Sequence, residues 1–393
     1  MKVARGSRRT AAGSNNPINL RGLGVIVDHP IQYFSPLLDE LSSRGNLDLC
    51  VAYGNDHGLR QAYDAGFGTS HSWDIDLTQG HQHVFLTTGT RSHMKNLRGF
   101  PQLIRFVISR DVLVIHGYAD PVSLAAIVCA VVTRTPYLIR SDTSVRHRHP
   151  QWDPRFWLPR AISRLSAGGL SAGSRNAAIQ QELGVPQVFF APFSVDNSRF
   201  ALGEQKRISE SGTLRAQWGL KDDQPVIGYC GKLAKHKGVE DLVASFGQFA
   251  ERAQLFLIGD GPLRPKLEGE GAVPNAVVSG FVNQSKMPEA LAACDIIVLP
   301  SYSEPWGLAI NEAMAAGCFP VVSDAVGCAP DLVQGVGVVF PMGDRSALAS
   351  ALKEALDKFN TPKSRERVLN RIQSFDVSRT ADGYETAIAS VLR

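Results

Sequence analysis

Two apolar patterns alternate along the chain. Short β-branched runs at 225–229, 255–258, 276–278, 295–299, 319–322 and 337–340 are almost unbroken by polar residues, as strands buried on both faces are. Between them, 238–250, 262–269, 285–294, 305–316 and 344–358 carry helical spacing. The second half therefore predicts a parallel sheet wrapped by helices. The first half repeats the style more loosely. It has strands at 23–28, 47–53, 111–116, 137–140 and 188–191, with helical stretches near 35–44, 100–109, 121–133, 155–166 and 174–183. The span 54–100 has little periodicity, and a connection of that length is functional or disordered. The polar stretch 197–224 predicts the domain junction, and the last helix, about 376–392, has a candidate docking surface on either domain.

The expected architecture is α/β: two doubly wound, Rossmann-like domains at 20–198 and 199–375, with residues 376–393 able to pack back on the first. Ligands then bind in the cleft between the strand carboxyl ends. The 393 residues are enough for a core in each domain. The net charge of +4 is misleading. Lys2, Arg5, Arg8, Arg9 and Arg21 put +5 on the first 21 residues, which hold no acid, and the remainder has 36 cations against 37 acids. Such a body does not suit nucleic acid. Residues 1–19 read as a disordered basic tail. The Arg8-Arg9 pair lacks the apolar region of an export signal, and no run approaches a membrane span. The six cysteines are scattered through apolar stretches without metal-ligand spacing. They predict small buried hydrophobes in a reducing cytoplasm and no metal site.

The densest chemistry lies at Ser303-Glu304-Pro305-Trp306-Gly307-Leu308, running on to Asn311-Glu312. Pro305 suits the first helical position. The amides of Trp306, Gly307 and Leu308 would then face a phosphate at the positive end of the helix. Glu304 and Glu312 would stand about 12 Å apart along the axis at ~1.5 Å per residue, a reach that suits the two ends of a nucleoside diphosphate sugar. The competing reading makes both glutamates solvated helix-face residues. Four neighbouring pieces weigh against it. Gly231-Lys232-Leu233 and Lys237-Gly238 place two cations on one strand-to-helix loop, able to clamp a diphosphate. Gly259 and Gly261, in Leu257-Ile258-Gly259-Asp260-Gly261-Pro262, end a strand where a ligand could approach the backbone. Ser279-Gly280-Phe281-Val282 closes another strand, where the main chain of Phe281 or Val282 could read a base edge. Leu299-Pro300-Ser301 leads into the glutamate motif.

This ordered set, completed by Ala315-x-Gly317-Cys318-Phe319-Pro320-Val321-Val322, resembles the nucleotide-binding domain of retaining glycosyltransferases with the GT-B fold, family 4. The resemblance covers about 225–335. It implies Lys232 and Lys237 on the donor diphosphate, Glu304 on the donor-sugar hydroxyls, the amides of Trp306 to Leu308 on phosphate or sugar, and Glu312 on the ribose diol. Lys232 stands where the family more often has Arg, and Trp306 where Phe is common.

The first half is less legible. Val27-Asp28 runs into His29-Pro30-Ile31-Gln32-Tyr33-Phe34 without the glycine turn common in these enzymes, and Gly22 and Gly24 precede the strand. That opening, with Asp64-x-Gly66-Phe67 and Trp73-Asp74, resembles a bacterial subgroup acting on surface or secondary glycans. His116 ends a strand and matches a family histidine that contacts the donor sugar, which implies His116, Glu304 and Lys237 as the catalytic set. His29, Gln32, Asp120, Arg140 and Asp142 are candidates for the acceptor side. Between 134 and 164, seven arginines (134, 140, 146, 148, 155, 160, 164) face only Asp142 and Asp153, interleaved with His147, His149, Trp152, Phe156 and Trp157. This composition suits an anionic bilayer surface or a phosphorylated acceptor; the alternative is pairing with carboxylates of neighbouring helices.

The expectation is a metal-independent, retaining glycosyltransferase without cofactor. It takes a UDP-, GDP-, ADP- or dTDP-linked sugar and a glycan, lipid-linked or small-molecule acceptor, in the cytoplasm or peripheral at the membrane's inner face. Rivals are a GT-B epimerase or phosphorylase, a catalytically silent sugar-nucleotide-binding partner of another transferase, and a nicotinamide dehydrogenase. The last is disfavoured because no G-x-G-x-x-G follows the first strand.

Overall fold

A computed structural model describes residues 20–64, 69–87, 99–143, 150–269 and 272–393. The 1–19 tail, Gly66, Phe67, and Arg146 to His149 lie outside them. The first domain holds β1 (Leu20–Val27), β2 (Leu47–Tyr53), β3 (Ala62–Asp64), β4 (Thr69–His71), β5 (Gln82–Phe85), β6 (Val112–His116), β7 (Tyr137–Ser141), β8 (Gly168–Ser171) and β9 (Val188–Phe190). The second holds β10 (Val226–Cys230), β11 (Gln254–Ile258), β12 (Ala276–Gly280), β13 (Ile296–Leu299), β14 (Phe319–Ser323) and β15 (Val338–Phe340).

The apolar runs become parallel strands covered on both faces; every residue of β10, β11, β13 and β14 is buried. The first sheet runs β5-β2-β1-β6-β7-β8-β9 and the second β12-β11-β10-β13-β14-β15, both parallel, with β3 and β4 a separate antiparallel pair. In register, Leu23 lies beside both Leu49 and Val112, and Ile227 beside both Leu255 and Ile296. Strand order reverses between β1 and β6 and again between β10 and β13. A crevice opens at the strand carboxyl ends at each reversal. This is the GT-B arrangement.

Several segments depart from the sequence expectation. The polar junction is not a loop: residues Asn197–Ala216 are helical, with Glu210 out of helical geometry at φ −141°. The Asp196 carboxylate caps the helix by accepting from the Arg199 amide at 3.3 Å. Among the described side chains of this helix, Phe200 and Leu214 are the buried apolar ones, too sparse a stripe to read as periodic. A helix at Pro362–Gln373, capped by the Thr361 hydroxyl at 3.2 Å, was likewise not anticipated. Within 54–100, β5 joins the sheet, and the chain before it is pinned by buried Leu77 and His81. His81 reaches the Asp39 carboxylate at 2.7 Å and the Tyr53 hydroxyl at 2.8 Å.

The chain crosses between the domains twice, side by side. Val195 and Asp376 form a parallel bridge, and the Asn197 side-chain amide donates to the Ile372 carbonyl at 2.9 Å. The final helix, Val377–Val391, lies against the first domain, where Arg44 pairs with Asp382 at 2.8 Å and Glu385 at 3.0 Å. All six cysteines are buried and free. No helix among the described residues is long and apolar enough to cross a membrane.

Candidate functional site

At the β10/β13 reversal, the loop after β10 meets the loop after β13. Lys235–Lys237 form one 3₁₀ turn, followed by Gly238 at φ 68°. A Cβ on Gly238 would lie 2.1 Å from the Pro300 carbonyl oxygen, so only glycine lets this turn rest on the 300–304 loop. That contact brings together groups 67 positions apart: the Lys237 ammonium donates to the Glu304 carboxylate. Their side chains are only 17% and 15% exposed, so the pair is screened less than a surface ion pair. Lys232 follows Gly231 on the same loop, its carbonyl taken by the Tyr229 hydroxyl at 2.7 Å.

At Gly259 and Gly261 the neighbouring loop approaches the backbone closely on the side a Cβ would occupy. A Cβ on Gly259 would sit 2.0 Å from the Gly231 carbonyl oxygen, and one on Gly261 would sit 2.7 Å from that of Leu233. The loops after β10 and β11 are laced by main-chain bonds, Gly231 to Ile258 at 3.0 Å and Leu233 to Asp260 at 2.9 Å. The glycines fix where the lysine loop stands.

The helix start also differs from expectation. The helix spans Leu308–Ala315, and Gly307 at φ 98° precedes it, so Pro305 is not its first residue. Glu304 forms a parallel bridge with Val326, and the chain bends at Pro305 and Trp306 beside 327–328. The Glu304 carbonyl accepts from Gly327 at 2.9 Å and that of Trp306 from Cys328 at 3.0 Å. This pairing outcompetes the helical preference of Pro305, and Trp306 lies in the bend before the helix rather than in its first turn. The buried indole of Trp306 donates to the Asn311 side chain at 2.9 Å, and Asn311 donates to the Phe193 carbonyl at 3.1 Å. The ring lies 6.0 Å from Phe193 and 6.1 Å from Phe375. Its side chain thus builds the seam between domains. Four residues past Leu308, the half-buried Glu312 has its carboxyl pushed up to about 7 by desolvation, against the opposing charge of Arg199. Phe281 and buried Val282 follow β12 after Gly280, whose φ is 72°.

Across the cleft, at the β1/β6 reversal, a cavity of about 160 Å³ is lined by Asp28, Tyr33, Phe34, His116, Arg140, Asp142 and Phe193 among others. The His116 Nε2 lies 3.2 Å from the Tyr384 hydroxyl, and the ring meets Phe34 edge-on at 4.4 Å. Burial, and then the Arg140 charge, push His116 down to about 3, so it is neutral at physiological pH. Its Nδ1 is enclosed without a partner. Arg140 is 2% exposed. Its Nη1 donates to the Ala191 carbonyl, and its guanidinium stacks 4.7 Å from the Phe193 ring and 5.9 Å from Tyr384. Its Nε is enclosed without an acceptor, no carboxylate of the described residues pairs with it, and burial pushes its pKa down. Burial, then Asp142, push Tyr33 up to about 12.

Of the remaining acceptor-side candidates, His29 bonds Asp28 at 2.9 Å beside the cavity, and Gln32 is half-buried between Ile31 and Tyr33. Asp120 is occupied as a helix cap, accepting from the Ser123 amide at 2.9 Å, and is not part of the cavity lining. Sequence reasoning missed Asp28, Tyr33, Phe34, Phe193 and Tyr384. The first three stood in a motif already noted; Tyr384, 268 positions from His116, gave no signal.

On the outer face of this domain, Arg155 pairs with Asp153 at 2.6 Å and Arg160 stacks 3.8 Å from the Phe156 ring centre. Trp152 is 84% exposed and Trp157 52%. No group of three or more His, Cys, Asp or Glu side chains among the described residues is placed to hold a metal ion.

Residues 224–358 match the family model described as glycosyl transferases group 1. Over 163 residues the chain is 32% identical to an alpha-D-kanosaminyltransferase of Streptomyces kanamyceticus, which covers 39% of this chain and 41% of that protein. It is 31% identical over 163 residues to a GDP-mannose-dependent alpha-mannosyltransferase of Mycobacterium tuberculosis, covering 41% of this chain and 40% of that one. The chain thus spans about two-fifths of the length of these two relatives. Among solved structures, Anabaena HepE in complex with UDP superposes with a TM-score of 0.70 at 18% identity, covering 94% of this chain and 99% of that one. A Rickettsia africae glycosyltransferase gives 0.73 at 12% identity, covering 95% and 99%. At these identities the likeness is one of fold.

Proposed function

We propose that this chain, whose residues 224–358 match the group 1 glycosyl transferases, moves a sugar from a nucleoside-diphosphate sugar to a carbohydrate or lipid-linked acceptor with retention of anomeric configuration. The observation that carries the reading is the Lys237–Glu304 pair, set at the strand-order reversal of the second sheet, with the His116–Arg140 cavity at the matching reversal of the first.

The leaving diphosphate develops negative charge as the glycosidic bond breaks. Lys232, Lys237 and the start of the Leu308–Ala315 helix stabilise that charge, the preorganised electrostatic device that is usually the largest catalytic term. In this reading no metal ion is required. Glu304 holds Lys237 in place and accepts hydrogen bonds from donor-sugar hydroxyls, and Glu312 accepts from the ribose diol. Attack comes from the face the diphosphate leaves, with a phosphate oxygen taking the acceptor proton, so no protein nucleophile is assigned. Neutral His116 offers a hydrogen bond to the sugar, and Arg140 orders acceptor hydroxyls or an acidic group in the cavity. The M. tuberculosis relative is named for GDP-mannose and HepE was solved with UDP. The exposed Trp152 and Trp157 with their arginines suit weak contact with an anionic membrane surface.

The direct test is a thermal-shift panel of UDP, GDP, ADP and dTDP with their common sugars. One nucleotide class raising the melting temperature by several degrees is the expected result. No shift with any of them would remove the transferase reading.

A further inference from the structure

We propose that Trp73, supplied by the first domain, is a nucleotide-recognition residue of the second domain's donor site, held there by Asp74. This rests on the donor-site reading above. Residues 72–74 cross the cleft to the segment 281–285 that follows β12. The Asn283 side-chain amide donates to the Ser72 carbonyl at 2.8 Å. The Ser285 amide donates to the Asp74 carboxylate at 3.1 Å, and the Ser285 hydroxyl donates to it as well. Between these two anchors the Trp73 ring rests 6.2 Å from the Phe281 ring, tilted by 47°.

Each polar contact is weak alone, because Ser72 and Asp74 are exposed. Together they fix one indole in one register on one segment. The sheet order says what that segment adjoins. With the diphosphate at the ends of β10 and β13, the nucleoside extends toward the ends of β11 and β12, and Gly280 is joined there to Gly259 by a main-chain bond of 3.1 Å. The same segment is tied at its other side to the ribose carboxylate. Arg199 donates to the Gln284 side chain at 2.9 Å, and its charge acts on Glu312. An aromatic face beside a base edge gains affinity by stacking, which tolerates any base. The ligand class is therefore the purine or pyrimidine ring of a nucleoside diphosphate, enclosed only when the two domains are apposed.

Calorimetric titration of UDP, GDP, ADP and inorganic pyrophosphate into the full chain and into Trp73→Ala, Trp73→Phe and Asp74→Ala tests this. Expected is about a tenfold weaker affinity of Trp73→Ala for the preferred nucleoside diphosphate, with pyrophosphate unchanged. Trp73→Phe should recover most of the loss, and Asp74→Ala should fall between. Trp73→Ala binding the nucleotide like wild type, or losing pyrophosphate equally, would overturn the proposal. Wild-type protein that binds none of the four compounds would instead strike the donor-site reading beneath it.

Discussion

The two crevices solve the same problem with different materials. In the second domain the site is main chain and charge. Glycines 238, 259 and 261 let loops lie on one another, and the lysines ride on those loops. In the first domain the site is made of side chains: His116 and Arg140 are enclosed by Phe34, Phe193 and Tyr384, and each keeps one nitrogen without a partner. A site of the first kind suits a constant feature of its ligands, and one of the second kind can change its ligand by changing side chains, without moving the backbone. On the proposed function, donor chemistry and acceptor choice would be carried by separable parts of one chain.

The sharpest way to break this comparison is at the lysine loop. Lys237→Ala and Glu304→Ala should each cut turnover by about 10²–10³-fold, the scale of losing one preorganised electrostatic partner, with melting temperature moved by only a few degrees. Near-normal rates in both, measured as initial rates of donor consumption, would end the assignment. A smaller effect is expected at Arg140. A buried guanidinium without a carboxylate partner costs stability, and an apolar side chain of similar length removes that cost. Arg140→Met should melt at the same temperature or higher while acceptor kcat/KM falls about tenfold. A lower melting temperature with unchanged acceptor kinetics would make Arg140 a packing residue. The smallest effect concerns the outer face of the first domain. Sedimentation with anionic vesicles at low salt should exceed that with neutral ones by a few-fold and vanish at high salt. Equal partitioning would remove the membrane contact.

Legibility in the sequence follows the same division. The second domain was readable because its strands are continuous apolar runs and its functional groups sit within a few positions of strand ends, so spacing along the chain approximates spacing in the fold. Even there, local preference misled at Pro305, where pairing with 326–328 overrode a good helix-starting residue. In the first domain His116 and Arg140 could be found as polar strand ends. Their partners come from β1's following turn, from the strip before the junction helix and from the last helix, and no periodicity links such distant positions. The junction helix itself escaped because, among its described side chains, the buried apolar ones are Phe200 and Leu214, fourteen positions apart.

The Val377–Val391 helix carries Tyr384 back to His116, so a lining residue of the amino-terminal crevice is held by a partner 268 positions further along the chain. During synthesis the first 190 residues emerge without that partner, which is made only after every strand of the second sheet. The crevice made first therefore receives its last contact late, and removing residues 377–391 would leave His116 without it.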